Sequence, residues 1–359
     1  MFHLRDKKLA DEIVSSIKKL DVHLKFMHVC GTHQDTLVKH GLDYLFSECG
    51  IEIGQGPGCP VCVTTQKEIE EMLVLARKGN IVTTFGDMIR VPGEQDSLQS
   101  MKEEGCDVRT VYGVEDAVTI AQKNPTKDVV FMAVGFETTT PMNAAVVLKN
   151  PPKNFSLLCC HRLIPPALKA ILDMGELNID GFIEPGHVSA IIGSAPYEFI
   201  SKEYSVPQVI AGFEPLDLLM AVWMLVQQIN QNESKVENEY TRVVTAQGNC
   251  KAQQVINEVF ESCDVQWRGF PVIPRSGLKL RKNYAEFDAR QKYEDELECI
   301  KDKEFAEPKG CRCGEVLRGL ISSKECPLFG KQCVPHHPVG PCMVSTEGSC
   351  NIEYRYSKP

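Results

Sequence analysis

Residues 128–160, DVVFMAVGFETTTPMNAAVVLKNPPKNFSLLCC, contain the pattern that decides the fold. An apolar run ends in the polar loop GFETTTP, a helical stretch begins at Pro141, and a second apolar run, FSLLCC, follows. Two buried strands joined by a helix are typical of a parallel βαβ unit. The same alternation extends from the strand KFMHVC near residue 25 to a long helix at 215–231. The sequence therefore predicts an α/β fold with helices on both faces of parallel sheets.

The chain has 359 residues, more than one hydrophobic core usually supports, so two or three domains are expected. We predict two parallel-sheet α/β lobes facing a central cleft, at residues 1–122 and 123–235. A cysteine-rich C-terminal domain is predicted at 236–359, after a polar hinge, QNESKVENEY, at 231–240. Helices are expected at 189–200 and 250–262 within this arrangement.

The overall charge and the apolar runs exclude several classes of function. There are 39 basic and 48 acidic residues, a net charge of −9, which disfavours nucleic acid and anionic membrane surfaces as partners. No apolar stretch approaches the roughly 20 residues of a membrane helix. The longest, LDLLMAVWMLVQQI at 216–229, is interpreted as a buried core helix. The N-terminal stretch lacks the apolar segment of a signal peptide, so a cytoplasmic location is expected.

Sixteen cysteines are unusual for such a chain, and in the cytoplasm they suggest metal or redox chemistry rather than disulfide scaffolding. An early group comprises Cys30, Cys59 and Cys62. Six more crowd the last fifty residues: Cys311, Cys313, Cys326, Cys333, Cys342 and Cys350. The remaining seven are interpreted as small buried hydrophobic residues.

Cys30 follows a predicted strand and precedes a predicted helix. Backbone N–H groups and the helix dipole at that position favour an anion, so its thiol is expected to ionise readily. His33 lies three residues further on and is a weaker candidate for a ligand or base. The stretch GQGPGCPVC at 54–62 predicts a rigid loop rather than a helix, presenting Cys59 and Cys62.

The residues alone leave several roles open for these thiols. Cys59 and Cys62 fit a redox dithiol, half of a zinc site, or ligands of another metal. With Cys30 they would offer three sulfurs to one metal and leave positions open for chemistry. In the C-terminal group, four thiolates suffice for an iron–sulfur cluster, but structural zinc fits the spacing equally well.

Polar groups also follow predicted strands elsewhere in the chain. Asp87 lies in FGDMIRVPG, Glu137 in GFETTTP and His187 in EPGHVS. In open α/β sheets, ligands bind at the carboxyl ends of the strands. These three side chains are therefore predicted to line the cleft.

Taken together, the motifs resemble the HypD family of [NiFe]-hydrogenase maturation proteins. The resemblance rests on CGTH, GPGCPVC, TFGDMIRVPG, GFETTTP, EPGHVSAIIG, GFEPLDLL, YAEFDA and the C-terminal cysteine pattern CRCGEVLRG to EGSC. It extends from about residue 25 to the C-terminus. So many long motifs in one order make chance agreement implausible.

The resemblance implies a maturation scaffold. HypD-like proteins have two α/β lobes facing a cleft and a third domain holding a [4Fe-4S] cluster. With the small partner HypC they carry the iron on which the Fe(CN)2CO unit is assembled, and HypE delivers cyanide. Matched motif by motif, the iron-site cysteines are Cys30, Cys59 and Cys62. The implied cluster ligands are Cys313, Cys326, Cys333 and Cys350, with Cys342 as the main rival.

A mechanism and two alternatives follow. Cluster electrons and cycling of Cys59 and Cys62 between dithiol and disulfide would support assembly, with His33, Asp87, Glu137 and His187 handling protons or orienting ligands. Such a scaffold has a redox role without clearly being an enzyme. The alternatives are an iron–sulfur oxidoreductase resembling ferredoxin:thioredoxin reductases and a plain zinc protein.

Overall fold

The structure is a computed structural model that describes residues 6–356. The strands are β1 Leu24–His28, β2 Ile51–Gln55, β3 Ile81–Thr84, β4 Val108–Thr110, β5 Val129–Gly135, β6 Phe155–His161, β7 Gly181–Pro185, β8 Gln208–Ala211, β9 Val236–Asn238, β10 Phe260–Gln266 and β11 Val272–Leu280. The helices are α1 Lys7–Lys18, α2 Gly31–Lys39, α3 Leu42–Ser47, α4 Pro60–Val63, α5 Gln66–Arg77, α6 Leu98–Glu103, α7 Val114–Lys123, α8 Thr140–Leu148, α9 Ile164–Met174, α10 Gly186–Ile192, α11 Glu198–Tyr204, α12 Pro215–Asn230, α13 Cys250–Val259, α14 Ala289–Lys292, α15 Glu294–Leu297, α16 Cys313–Leu317, α17 Pro341–Val344 and α18 Ser349–Tyr356.

Two parallel sheets form the centre of the fold, which confirms the predicted α/β class with parallel-sheet cores. The larger sheet has the strand order β2-β1-β7-β8-β9 and the smaller one β4-β3-β5-β6. All pairings within these two sheets are parallel. The strands β5 and β6, quoted at the start, pair in register from Val129 with Phe155 to Gly135 with His161.

The strand pairing differs from the predicted division at residue 122. In the larger sheet β1 pairs with β7, with Phe26 opposite Gly181, although the two strands were assigned to different lobes. In the smaller sheet β3 pairs with β5 across the same predicted boundary. Each sheet therefore combines strands from both predicted lobes, because sequence proximity does not determine which buried strands pair.

The faces of the larger sheet bury different cores. Phe26 and Ile183 pack against α1 and α12 on one face. Met27 and Phe182, which alternate with them, point to the other face and join a core that also contains Cys59 and Cys62. Strand residues of the smaller sheet, such as Val130, reach the same core. The segment that contains Cys59 and Cys62 is thus buried by residues from both sheets.

Three predicted elements have different boundaries in the structure. The helix expected at 189–200 is broken into α10 and α11, because Gly193 has a φ of +81° and Pro196 follows it. The helix expected at 250–262 ends at Val259, and β10 begins at the next residue. The predicted hinge at 231–240 contains β9, which pairs with β8.

The apolar stretch at 216–229 lies in α12, which packs against the larger sheet and is buried along one side, as predicted. Within residues 6–356, no helix combines the length and the apolar character needed to cross a membrane.

The C-terminal third begins with the antiparallel hairpin of β10 and β11. As far as residue 356, its buried residues do not form a separate core. Trp267 from the hairpin region and Leu317 from α16 join the core that lies between the two parallel sheets. The cysteine-rich segment therefore packs directly against the core between the two parallel sheets.

Candidate metal and thiol site

Cys30 lies between β1 and α2, as predicted, and is 8% exposed. Burial raises the pKa of its thiol to about 11, although the backbone N–H groups of His33 and Thr32 act in the opposite direction. The expectation that Cys30 ionises readily is therefore wrong for this structure, because the loss of hydration outweighs the helix N-terminus. His28 accepts a hydrogen bond from the Cys30 N–H at 3.4 Å and so helps to orient this turn.

The loop of residues 56–59 lies directly against the Cys30 turn. The Gly31 N–H donates to the Gly58 carbonyl at 3.1 Å. A Cβ atom on Gly58 would overlap backbone atoms of Val29 and Cys30 and would lie 2.5 Å from the Cys30 Cα. Only glycine fits so close an approach. The structure thus brings Cys30 and the CxxC segment together, although about thirty residues separate them.

Cys59 and Cys62 form a disulfide in this structure, and both are fully buried. Cys59 is the N-cap of α4, and its Sγ accepts a hydrogen bond from the Cys62 N–H at 3.1 Å. The predicted rigid loop is wrong in this respect, because Pro60 begins a helical turn rather than preventing one. The pair is also enclosed rather than presented at the surface.

The six C-terminal cysteines line one small enclosed cavity: Cys311, Cys313, Cys326, Cys333, Cys342 and Cys350. Hydrogen bonds from Cys311 and Cys342 lower the pKa of Cys313 well below the ordinary thiol value. Cys342 is also hydrogen-bonded to Cys350. The cavity therefore contains more sulfur donors than the four that an iron–sulfur cluster needs.

No set of three or more His, Cys, Asp or Glu side chains within residues 6–356 is arranged as it stands to hold a single metal ion. The disulfide is one physical reason at the early site. Its two sulfurs are bonded to each other, and metal binding requires free thiolates.

Helix α4, which is capped by Cys59 and contains Cys62, connects the early group of cysteines with the C-terminal group. Helix α4 contacts both α16, which begins at Cys313, and α17, which contains Cys342. The buried Arg268 lies at the same junction, where its N–H donates to the Val63 carbonyl at 2.9 Å and its Nε donates to the Thr64 carbonyl at 3.0 Å. The two groups of sulfurs therefore lie on neighbouring elements.

Asp87 fixes the C-terminal segment instead of standing free in a cleft. Its Oδ2 accepts hydrogen bonds from Ser345 Oγ at 3.1 Å and from the Thr346 N–H at 3.0 Å. The next residue, Glu347, lies against the Cys30 turn, where a Cβ on Gly31 would be 2.5 Å from its carbonyl oxygen. Asp87 thus stabilises the segment that packs beside Cys30.

The two predicted histidines come together around one phenylalanine. The ring centroid of Phe213 lies 3.9 Å from that of His187 and 5.1 Å from that of His33. His33 Nε2 donates to the Gly212 carbonyl at 2.9 Å, and burial lowers the pKa of His33 to about 3. His33 is therefore neutral, and its Nδ1 has no hydrogen-bond partner among the described residues. Desolvation also lowers the pKa of His187, which is exposed at the surface.

This geometry agrees with the comparison to known proteins. A family model for HypD, described as "Hydrogenase formation hypA family", matches residues 5–357. The chain belongs to the HypD family. The resemblance predicted from the motifs is confirmed over nearly the whole length.

The HypD relatives cover the full chain. A protein of Methanocaldococcus jannaschii named for hydrogenase expression and formation is 49% identical over 100% of both chains. Hydrogenase maturation factor HypD of Cupriavidus necator is 42% identical, and HypD2 of Bradyrhizobium diazoefficiens is 41% identical. Each of these two alignments covers 99% of this chain and 96% of the relative. The chain is thus a member of a family of hydrogenase maturation factors.

Glu137 of this HypD family chain lies apart from the thiols. It lines a cavity of about 590 Å³ that none of the sequence-predicted cysteines lines. Its Oε1 accepts a hydrogen bond from the Ile164 N–H at 3.0 Å, whereas its Oε2 has no partner among the described residues. Burial raises the pKa of Glu137 to about 7.

Sequence reasoning missed Glu184, which precedes His187 in the motif EPGHVS. Glu184 lies in β7, is fully buried, and burial raises its pKa well above the ordinary value. The signal was a single acidic residue within the apolar strand GFIEP. A charge in the middle of a buried strand is costly without a partner, so its presence there needs an explanation.

The seven other cysteines divide into different environments. Cys49, Cys159 and Cys160 are buried as predicted, but Cys250 and Cys299 are exposed. Cys106 and Cys263 are half-buried. For the two exposed residues the prediction of buried hydrophobic positions is wrong, since both lie on polar helical segments at the surface.

Proposed function

We propose that this HypD family chain is the scaffold on which the Fe(CN)2CO unit of [NiFe] hydrogenase is assembled, together with a HypC-type partner. Cys30, Cys59 and Cys62 hold the iron as thiolates once the 59–62 disulfide is reduced. The observation that carries the proposal is the hydrogen bond from the Gly31 N–H to the Gly58 carbonyl. It joins the residue after Cys30 to the residue before Cys59.

The buried setting suits this chemistry. Cyanide and carbon monoxide bind strongly to low-spin iron with soft sulfur donors, and exclusion of water protects the assembling unit. Cys30, Cys59 and Cys62 are nearly or fully buried. Cyanide would come from a HypE-type donor that docks transiently.

The C-terminal thiols fit a [4Fe-4S] cluster, because six cysteines surround one cavity and four are sufficient. We assign Cys313, Cys326, Cys333 and Cys350 as ligands, with Cys342 as the rival. When bound, this group supplies electrons. The contacts of α4 with α16, which begins at Cys313, and with α17, which contains Cys342, support reduction of the disulfide along that route.

The other candidate residues have supporting roles in this proposal. Asp87 holds the segment that packs on the Cys30 turn. Neutral His33 and His187, which both pack on the ring of Phe213, orient ligands. His33 Nδ1 is able to accept a hydrogen bond, since it has no partner within residues 6–356. Glu137 exchanges protons with the solvent of its cavity.

The alternative is an iron–sulfur thiol–disulfide oxidoreductase of the ferredoxin:thioredoxin reductase type. The disulfide itself and its packing against the cysteine-rich helices favour this candidate. In that case the pair would exchange with a partner's disulfide and bind no additional iron.

Infrared spectroscopy on protein purified without oxygen, together with its HypC-type partner, tests the proposal. Metal–CO and metal–CN stretching bands are expected. Their reproducible absence, combined with efficient reduction of a partner disulfide, would establish the reductase instead. Metal analysis that finds zinc and no iron would contradict both.

A further inference from the structure

The Cys30 turn is joined to the C-terminal helix α18 by a chain of hydrogen bonds between side chains. The Cys30 N–H donates to His28 Nδ1 at 3.4 Å. The other ring nitrogen, His28 Nε2, lies 2.7 Å from Gln34 Oε1. Gln34 Nε2 in turn donates to Glu353 Oε1 at 3.2 Å, and these two residues are 319 positions apart in the sequence. The chain therefore connects the start of α2 with a helix near the opposite end of the polypeptide.

Each donor and acceptor in this chain is determined by the one before it. Because His28 Nδ1 accepts a bond from a backbone N–H, it carries no proton, and the proton of the neutral ring is on Nε2. Nε2 must then donate, so the Gln34 amide faces it with its oxygen and turns its nitrogen to Glu353. Reversing the amide would set two donors against each other at His28 and two acceptors at Glu353. The link thus has a single direction.

The inner part of the chain is shielded from water, whereas its outer end reaches the surface. His28 is fully buried, and Gln34 is 9% exposed. Glu353 Oε2 pairs with Lys324 Nζ at 2.8 Å, and the side chain of Lys324 is exposed. A buried amide that loses its partner costs more free energy than the bond itself contributes, because water does not replace the partner. Gln34 is therefore held firmly only while α18 lies in place.

A second contact between α2 and α18 supports the same connection. Arg355 of α18 donates to Asp35 Oδ1 at 3.1 Å. Asp35 follows Gln34 directly, so two successive residues of α2 bind the C-terminal helix. Helix α18 also contains Cys350, one of the thiols assigned to the cluster. The Cys30 turn is thus connected to the helix that carries a C-terminal sulfur donor.

We propose that Gln34 is a positioning residue, through which helix α18 holds the Cys30 turn in the shape that binds iron. An order of assembly follows from this link, since the C-terminal segment must be packed in place before Cys30 is fixed beside the CxxC pair. The inference rests on the proposed function in one respect, namely that Cys30 is an iron ligand. The link from residue 34 to residue 353 does not itself depend on a metal.

Four full-length chains test the link: the wild type, Gln34→Glu, Glu353→Gln and the double variant. Gln34→Glu sets two carboxylates against each other and should break the chain. Glu353→Gln keeps an oxygen that accepts from the Gln34 amide, so it should have little effect. In the double variant the carboxylate at position 34 accepts both from His28 Nε2 and from the amide at position 353. The second substitution should therefore restore what the first one breaks.

The measurement is the rate at which iodoacetamide alkylates Cys30 in the protein without iron or partner, followed by mass spectrometry of the Cys30 peptide. Cys30 is 8% exposed, so its alkylation requires the turn to open. We expect Gln34→Glu to react about 10-fold faster than the wild type, and the double variant to react within about 2-fold of the wild type. Gln99→Glu is the matched control, because Gln99 Nε2 donates to Glu103 Oε1 at 2.9 Å on the exposed side of α6.

An unchanged rate in Gln34→Glu would overturn the proposal, and so would a double variant that reacts as fast as Gln34→Glu. If Gln34→Glu alone does not fold, the double variant decides. A folded double variant with the wild-type rate supports the link, and an unfolded one overturns it.

A second readout separates positioning from stability alone. Infrared spectra are compared for the same chains, purified without oxygen with the HypC-type partner. The metal–CO and metal–CN bands of Gln34→Glu, relative to the cluster absorption, should fall on the order of 10-fold and return in the double variant. Full-strength bands in Gln34→Glu would overturn the positioning role. Bands absent from the wild type would contradict the proposed function instead, and the alkylation rates would still decide whether the link exists.

Discussion

Gly31 and Gly58 are joined by a backbone hydrogen bond of 3.1 Å, and through it the Cys30 turn and the CxxC helix form one structural unit. Each glycine also permits a close approach on its other side: Gly58 to Val29 and Cys30, and Gly31 to Glu347. Three segments far apart in the sequence thus meet at one point. The positions of all three depend on residues without side chains.

The first prediction concerns Gly58→Ala. The added Cβ would overlap the backbone of Val29 and Cys30, so the two loops must separate. We expect a loss of about 1–3 kcal/mol in the free energy of unfolding and a loss of iron binding. Denaturant unfolding and iron analysis measure the two effects. Gly54→Ala is the control, because its Cβ meets nothing closer than the Phe26 carbonyl at 3.8 Å. Equal stability of the two variants would contradict the packing argument.

The second prediction concerns Asp87→Asn. The substitution keeps the size of the side chain but removes the charge that accepts hydrogen bonds from Ser345 and Thr346. We expect about 1–2 kcal/mol of destabilisation and faster proteolysis near residue 345. Asp173→Asn is the control, since Asp173 pairs with Lys169 at the surface, where such pairs contribute little. Unaltered proteolysis of the C-terminal segment in Asp87→Asn would refute the anchoring role.

The third prediction concerns the pH dependence of stability. Burial raises the pKa of Glu137 to about 7 from an ordinary value of 4.5, so the folded protein binds a proton that the unfolded chain has released. Its contribution to stability is complete below pH 4.5 and is lost as the pH rises through about 7. The difference corresponds to about 3 kcal/mol. As the pH rises from 4.5 to 7, the free energy of unfolding should fall less for Glu137→Gln than for the wild type. Urea unfolding at several pH values measures this difference. Parallel curves would show that Glu137 is ionised in the folded state.

The fourth prediction addresses the cluster ligands. Cys333→Ala should lose the brown chromophore and loosen the C-terminal segment, because metal binding and folding are coupled there. Cys342→Ala should keep the brown chromophore if the ligands are Cys313, Cys326, Cys333 and Cys350. Iron and sulfide analysis with visible absorption distinguishes them. Loss of the cluster in Cys342→Ala and its retention in Cys333→Ala would show that Cys342 is a ligand and Cys333 is not.

Much of the local structure follows from sequence patterns. The apolar runs at 129–135 and 155–161 are strands joined by a helix, as their composition indicates. The pairing of β1 with β7 was not predictable in the same way, because the alternation of side chains describes each strand and not its neighbour. The first three residues of β10, 260–262, were predicted to end a helix, although after the buried Phe260 the side chains of the strand alternate between half-buried and exposed positions.

The sequence predicted which cysteines meet at the site better than it predicted how they ionise. The motifs containing Cys30 and Cys59 identified residues that do meet in space. The low pKa expected for Cys30 was wrong, since a helix N-terminus is visible in the sequence but burial is not. Glu184 was missed for a related reason. Its significance depends on having no hydrogen-bond partner among the described residues, which only the packing of β7 reveals.

The most direct test of the central claim compares infrared spectra of wild type and Cys30→Ala, each purified without oxygen with the HypC-type partner. The account predicts that metal–CO and metal–CN bands present in the wild type disappear in Cys30→Ala, while the absorption of the C-terminal cluster remains. Undiminished bands in Cys30→Ala would contradict the convergence of Cys30 and the CxxC pair on one iron.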